Sequence, residues 1–458
     1  MKNAQISKNK HNRLNTYCLH IFMLFLVLCL TGCKKEQKYS APEPIKTGEE
    51  LTMFVATDVH YLANELHDDG EAYEKYLNSG DGRLLYYIDE ITDAFIDDMN
   101  IEKPDVLILS GDLTNNGEKE SHTELANKLN KLEATAGTRV YVIPGNHDIQ
   151  NPWARSLFGD KQNKIDSIES DEFDQIYGDL GYDEAISRDE NSLSYLAAPS
   201  EDLWLLMLDT NIYDTNYQYG VPATNGIIKE ETFNWIRECS ALAKEKNAQI
   251  VTVMHHNLLR HTLVMNYGFT LDNSEEAIKV FEESDLKLVL SGHIHIQDIN
   301  STKKEENPIY DVVTSALIAY PVQYGVIKFQ KDQGYEYQTK KVDVDRWAKS
   351  TNQQDENLLN FKQYARDHYA SRSYDRAYNS LVSTGLYSDE DILLMSSTMS
   401  LLNVNYFGGS VDTVREEILN SKGYQLWRKA EEPERIVSYI KNMLYDDKIE
   451  NNHLLLPN

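Results

Sequence analysis

From residue 51 to about 345, short apolar runs rich in β-branched residues alternate with helix-length stretches. The runs are Leu51–Thr57, Asp105–Ser110, Arg139–Ile143, Leu203–Leu208, Gln249–Met254, Leu286–Leu290, Ile309–Thr314 and Tyr324–Phe329. Several are apolar at consecutive positions, the pattern of strands covered on both faces. Between them the chain predicts helices over Arg83–Asp98, Glu118–Ala134, Glu230–Lys246 and Ser274–Glu283. Alternation of strand and helix predicts a layered α/β domain over 51–345. The last strands are joined only by loops, which predicts some antiparallel pairing. Residues 346–458 lack clear strands. Leu358, Phe361, Tyr364 and Ala365 recur at helical spacing, and Gly408-Gly409 and Pro433 punctuate the segment. This predicts a small helical C-terminal domain over 346–458.

The N-terminus departs from this pattern. Residues 1–20 carry Lys2, Lys8, Lys10 and Arg13 without an acid, and Ile21–Leu30 is an unbroken apolar run. That run is short for a membrane span. A basic region, a short apolar core and small residues together describe an export signal. Leu30-Thr31-Gly32-Cys33 resembles the bacterial lipobox. The resemblance implies cleavage before Cys33 and diacylation of its thiol. It gives a lipoprotein signal peptide over 1–32 and a lipidated Cys33 with a polar linker over 33–50. The protein would then be anchored to a bacterial cell membrane on its extracytoplasmic face. Cys18 and Cys29 would leave with the signal, so only Cys239 would remain free and no disulfide framework is available.

Composition adds two exclusions. The chain is 41% hydrophobic and 26% charged, which is globular rather than disordered. Its formal net charge is −28, so a nucleic-acid polymer is not an expected partner.

The chemistry gathers where the strands end. Asp58 and His60 follow the first run. Gly111-Asp112 follows the second and Gly145-Asn146-His147-Asp148 the third. His255-His256 follows Gln249–Met254, and Gly292-His293-Ile294-His295 follows Leu286–Leu290. In an α/β sheet the ligand crevice lies beyond the carboxyl ends of the strands, so these groups should converge on one rim. Imidazole, carboxylate and amide oxygen suit borderline ions, and no thiolate takes part. A carboxylate can bridge two metals about 3.5–4 Å apart, and Asp112 is the candidate bridge. Two divalent ions, Asp58, Asp112 and a bridging hydroxide leave a charge of about +1, which suits an anion such as a phosphate ester.

The series Asp58-x-His60, Gly111-Asp112, Gly145-Asn146-His147-Asp148, His255 and Gly292-His293-x-His295 resembles the calcineurin-like metallophosphoesterase superfamily, with five signature blocks in order. The resemblance implies a layered α/β/β/α sandwich. It implies two metal ions, for which Mn, Fe or Zn would serve. Asp58, His60, Asp112 and His295 would hold the first, and Asp112, Asn146, His255 and His293 the second. A hydroxide between the ions would attack phosphorus in line. His147 would act on the phosphoryl or leaving-group oxygen, and Asp148 would orient His147. The family pattern favours His255 over its neighbour His256 as the ligand. His261 and His67 read as pocket-lining or surface residues, with the surface preferred.

Asp58-Val59-His60 and Gly145-Asn146-His147-Asp148 also look like the branch containing bacterial class III cyclic-nucleotide phosphodiesterases. The insertion Tyr61–Lys103, with Asp81-Gly82-Arg83-Leu84-Leu85-Tyr86-Tyr87, and the helical tail resemble a Gram-positive subgroup of it. The implied activity is hydrolysis of phosphodiesters of cyclic-nucleotide or nucleotide type. The alternatives are a phosphomonoesterase or nucleotidase on the same site, or a non-catalytic lipoprotein binding envelope phosphate. Tyr61, Tyr73, Tyr76, Tyr86 and Tyr87 could stack on a base or pack in a core. The C-terminal domain could cap the site or cover an apolar sheet edge.

Replacing Cys33 by Ser should leave an uncleaved, unlipidated precursor. Acyl labelling of the mutant at the wild-type level would refute the lipobox.

Overall fold

The structure is a computed structural model that describes residues 43–80, 82–262, 267–304, 306–444 and 450–457. The expected signal peptide and Cys33 lie outside the described residues. Among the described residues, no helix is long and apolar enough to cross a membrane.

One sheet contains β1 (Leu51–Ala56), β2 (Val106–Ser110) and β3 (Arg139–Ile143), all parallel. A short ribbon, β4 (Arg155–Phe158) with β5 (Lys161–Lys164), follows. The second sheet is built from β6 (Ser187–Arg188), β7 (Tyr195–Ala197), β8 (Leu203–Leu208), β9 (Gln249–Met254), β10 (Leu288–Ser291), β11 (Asp298–Ser301) and β12 (Tyr310–Val313). Its order is β11-β12-β10-β9-β8-β7-β6, with β8, β9, β10 and β12 parallel. The chain then returns to the first sheet through β13 (Gln323–Gln330), β14 (Gly334–Lys341) and, much later, β15 (His453–Leu456). That sheet reads β15-β14-β13-β1-β2-β3. The antiparallel pairing expected of the late strands is present in β1–β13 and β13–β14.

Strand periodicity explains the layering. Leu205 and Met207 of β8 and Val251 and Val253 of β9 enter the core shared with the first sheet. The alternate residues Trp204, Leu206, Leu208, Ile250 and Met254 enter a separate outer core. That outer core is closed by α4 (Glu230–Lys246) and α5 (Ser274–Glu283) through Phe233, Ile236, Val280 and Phe281. On the other side α2 (Ile88–Glu102) and α3 (Lys119–Ala136), preceded by α1 (Glu71–Ser79), bring Ile91, Phe95, Leu125 and Leu129 to the first sheet. The result is the expected α/β/β/α sandwich.

The C-terminal helices begin with α6 (Val344–Ser350), α7 (Glu356–Leu359), α8 (Phe361–Thr384) and α9 (Asp389–Phe407). Three shorter helices follow, Arg415–Asn420, Lys422–Lys429 and Glu434–Leu444. Their packing changes partners within α8. Val344, Trp347, Ala348, Leu358, Phe361 and Ala365 bury in the main core. Ala377 and Leu381 join a second core with Met395, Leu402, Tyr424 and Trp427.

Two elements differ from the sequence reading. The helix expected from Arg83 begins at Ile88, after a 3₁₀ turn over Leu85–Tyr87. Leu84 donates its N–H to the Ile318 carbonyl at 2.7 Å, which draws this stretch into an extended contact before the helix starts. The region read as lacking strands contains β15, which pairs antiparallel with β14. Four residues at a half-exposed edge give too short a pattern to stand out.

His261 is not on the surface. It is buried between Asp298, 2.5 Å from Nδ1, and Asp311, 3.0 Å from Nε2. Burial alone would lower its pKa, but the two carboxylates outweigh this and hold it at about 9. The ring is therefore charged in the fold, and its contribution is full below its ordinary pKa of 6.5 and lost as pH rises through about 9. His261→Ala leaves two buried carboxylates without their cation and should cost about 3–5 kcal/mol. Denaturant titrations at pH 6 and pH 9.5 should show the mutant's deficit shrinking at the higher pH.

Candidate metal centre

Five of the strands end at one place. β1, β2 and β3 release Asp58 and His60, Asp112, and Asn146 from one sheet; β9 and β10 release His255, His293 and His295 from the other. Because the sheets stack face to face, these loops meet at the edge of the inter-sheet core. Two groups form there, each with ligand atoms within 4.8 Å of one another. One is Asp58, His60, Asp112 and His295, and the other is Asp112, His255 and His293. Asp112 is common to both, the position expected of a bridge. Asn146 lies beside the second group, with its Oδ1 3.3 Å from His255 Nε2.

The loops achieve this through an unusual backbone. Asp58, His60, Asp112, His293 and His295 all have positive φ, between 47° and 70°. Left-handed conformation costs a non-glycine residue about 1–2 kcal/mol. Gly145 allows a close backbone approach. A Cβ there would lie 2.1 Å from the Asp112 nitrogen, so only glycine lets the β2 and β3 loops touch.

The polar atoms fit a cation better than they fit each other. Asp58 Oδ1 and His60 Nδ1 are buried without a hydrogen-bond partner. His60 Nε2 and His295 Nε2 face each other at 3.3 Å. Asp58 Oδ1 is 3.2 Å from His295 Nε2 and 3.8 Å from His60 Nε2. Asp112 Oδ2 is 3.3 Å from His255 Nε2 and 3.7 Å from His60 Nε2. All of these separations exceed a charge-assisted hydrogen bond of about 2.7–2.9 Å. Carbonyls occupy the far nitrogens of two rings: His255 Nδ1 bonds the Ser110 carbonyl and His293 Nε2 the Gly268 carbonyl. This fixes His255 Nε2 and His293 Nδ1 as the nitrogens left for metal. Burial would raise both carboxyls, yet the surrounding imidazoles hold Asp58 and Asp112 below the usual carboxylate range. The cluster is thus able to bind a dimetal centre through N and O donors.

The adjacent histidines separate. His255 turns into the cluster, while His256 bonds Thr210 Oγ1 at 2.8 Å and packs its ring 4.6 Å from that of His293. His147 stands beside the cluster, its ring perpendicular to that of His60 at 4.8 Å. Its backbone N–H donates to Asp112 Oδ1 at 2.8 Å.

Asp148 does not orient His147, contrary to the expectation. Its carboxylate accepts from the backbone N–H groups of Leu113, Thr114 and Gly145 and from the Thr114 hydroxyl. It clamps the β2 loop to the β3 loop. The His147 ring is held instead by the Asn115 carbonyl, 2.7 Å from Nδ1. A backbone acceptor leaves no side-chain signal, which is why sequence reasoning passed over Asn115. Of the tyrosines considered for base stacking, Tyr61, Tyr73 and Tyr87 are buried and Tyr86 is exposed. His67 stacks on Tyr73 with ring centroids 3.9 Å apart.

Comparison with known proteins places the chain. Residues 51–297 match the family described as calcineurin-like phosphoesterase. Residues 343–450 match the C-terminal domain of cyclic nucleotide phosphodiesterase. The chain is 28% identical over 230 residues to "Uncharacterized metallophosphoesterase-like protein YydB" of Bacillus subtilis (strain 168), covering 47% of this chain and 46% of that protein. It is 23% identical over 193 residues to "Probable cyclic nucleotide phosphodiesterase" of Rhodococcus erythropolis (strain PR4 / NBRC 100887), covering 42% and 52%. The chain spans about half the length of the curated relatives it matches. Among solved structures it is similar to a dimetal phosphatase from Danio rerio, with 13% identity and a TM-score of 0.43 over 65% of this chain and 96% of that one.

Asp112→Ala should lose both ions and activity together, as read by metal content after dialysis and by turnover. His147→Ala should keep its metal and lose about 10²–10⁴-fold in rate. An Asp112→Ala protein that retains two ions would overturn the bridge, and metal loss in His147→Ala would overturn the separation of roles.

Proposed function

Because this chain belongs to the calcineurin-like phosphoesterase family, we propose that its metal centre hydrolyses phosphodiesters of nucleotide type. The observation that carries the diester reading is the succession of two matches along one chain. A phosphoesterase segment over 51–297 is followed by a cyclic nucleotide phosphodiesterase C-terminal segment over 343–450. In this reading Asp58, His60, Asp112 and His295 hold one ion, and Asp112, Asn146, His255 and His293 hold the other. Two such ions supply Lewis acidity and the nucleophile for phosphoester hydrolysis. The chain's own residues do the rest. With Nδ1 committed to the Asn115 carbonyl, His147 keeps Nε2 for the proton of the leaving oxygen. Asp148, by tying the loops after β2 and β3, keeps His147 at a fixed distance from Asp112.

The nucleotide class is supported by exposed aromatic rings on loops that carry the site. Trp153, 44% exposed, lies six residues beyond His147; its backbone N–H donates to the Asn151 side-chain oxygen, and the Asn151 amide NH₂ donates to the His147 carbonyl. Tyr267, 85% exposed, precedes Gly268, whose carbonyl holds His293. Exposed rings on those loops suit stacking on a base. The same proposal keeps the protein outside the cytoplasm, tethered by lipid at Cys33, so extracellular nucleotides or their cyclic forms are the relevant substrates.

The test is turnover by the Mn²⁺-loaded full-length protein. Bis-p-nitrophenyl phosphate should be hydrolysed in preference to p-nitrophenyl phosphate, and 2′,3′- and 3′,5′-cyclic AMP should both be cleaved. Preference for the monoester would replace this reading with a phosphomonoesterase.

A further inference from the structure

The turn after β10 alternates two kinds of residue. His293 and His295 join the two candidate ligand groups. Ile294 and Ile296, 4% and 1% exposed, are buried with Val313 in a small apolar cluster separate from the larger cores. Phe269, Tyr406 and Phe407 pack against that cluster. Tyr406 and Phe407 are the last two residues of α9. Phe269 also places its ring 5.0 Å from that of His293. The end of a C-terminal helix is thus packed against the residues that separate and follow the two ligands.

The backbone makes the same connection. The last carbonyls of a helix have no partner within it. Here the Phe407 carbonyl accepts from the Gln297 N–H at 3.1 Å, two residues beyond His295. Gly409 turns the chain close by: its φ is +65°, and a Cβ there would lie 2.8 Å from Gln297 Cγ. The buried Gln297 side chain adds further bonds. Its amide donates to the Asn451 carbonyl at 2.8 Å, and its oxygen accepts from Gln323 and from the Tyr337 hydroxyl, each at 3.3 Å. The Asn451 side-chain oxygen accepts from the Ile299 N–H at 3.2 Å. The Asn452 amide donates to the Gly408 and Gly409 carbonyls at 3.1 and 2.8 Å. The loop between β10 and β11 is therefore bonded both to the end of α9 and to the residues that lead into β15.

His293 and His295 stand in left-handed backbone, with φ of 70° and 62°. Such a conformation persists where the surroundings over-determine it. We propose that the end of α9 positions the His293-Ile294-His295 turn for metal binding, with Phe407 and Gln297 as the positioning residues. One short turn would supply a ligand to each ion, so a single support governs both. Removing the Phe407 ring gives Ile294 and Ile296 room to relax, and the two imidazoles move with them. The proposal rests on the dimetal phosphoesterase reading and extends it with a role for the C-terminal helices.

The experiment is equilibrium dialysis of the full-length protein against graded Mn²⁺, with thermal melts and bis-p-nitrophenyl phosphate turnover measured in parallel. Phe407→Ala should weaken Mn²⁺ binding at both sites by about 10-fold. Its turnover should recover at saturating Mn²⁺, because every ligand is still present. Phe407→Leu should regain most of the affinity. Gln297→Ala, which leaves Phe407 in place, should weaken Mn²⁺ in the same direction. Leu381→Ala removes a buried side chain from the second helical core, and should lower the melting temperature with Mn²⁺ affinity unchanged. Wild-type Mn²⁺ affinity in Phe407→Ala or in Gln297→Ala would overturn the positioning role. Equal weakening in Leu381→Ala would also overturn it, since the effect would then be general loss of stability. The two readings fail separately. Mn²⁺ affinity that depends on Phe407 in a protein that hydrolyses no diester would sink the phosphodiesterase reading alone. Diester hydrolysis with Mn²⁺ affinity indifferent to Phe407 and Gln297 would sink this proposal alone.

Discussion

The rest of the structure depends on the cost of burying Asp58 and Asp112, which are 0% and 2% exposed. A buried carboxylate is tolerated only when opposite charge and hydrogen bonds surround it. Here the neighbours are imidazoles at distances that leave room between the groups, and one carboxylate oxygen has no hydrogen-bond partner. Such an arrangement is stable as a receptor for cations and poor as a self-contained core. Five of its residues also adopt left-handed backbone, so strain is concentrated at the site and must be offset elsewhere.

The offset comes from the sheets. Each central strand is buried on both faces, and those of the second sheet divide between two cores, so their ends cannot shift without disturbing packed residues on both sides. The loops are then locked to one another. The Asp148 carboxylate holds the β2 and β3 loops, and the Asp58 Oδ2 accepts from the His293 N–H at 2.9 Å, joining the two sheets. The site is rigid because its loops are short and mutually bonded, and because glycine permits the close backbone contact at residue 145.

Much of this was legible in the sequence. The eight apolar runs are strands because continuous burial leaves continuous apolar residues, and polar residues at their ends stand out against that background. What escaped notice acts by other means. β14 alternates Tyr335 and Tyr337 inward with polar residues outward, a pattern that reads as loop when only apolar runs are sought. Asn115 works through its carbonyl. Asp148 has the residue type of an orienting carboxylate but spends its oxygens on backbone N–H groups. His261 gives no local sign of its two partners, which come from β11 and β12. Arg83 was placed in a helix because Leu84-Leu85 and Ile88 continue the helical spacing, whereas a long-range bond to Ile318 decides its conformation.

β15 changes what kind of object the helical segment is. The chain leaves the first sheet after β14, runs through all the C-terminal helices and returns to pair with β14 itself. The helices are thus an excursion between two neighbouring rungs of one ladder, moored at both ends to the same scaffold. Swinging such a body away from the sheet would require unzipping β15 or breaking the packing of α6 and α7 into the main core. The helical segment is therefore held to the sheet as part of one scaffold, and a change in either must be accommodated by the other.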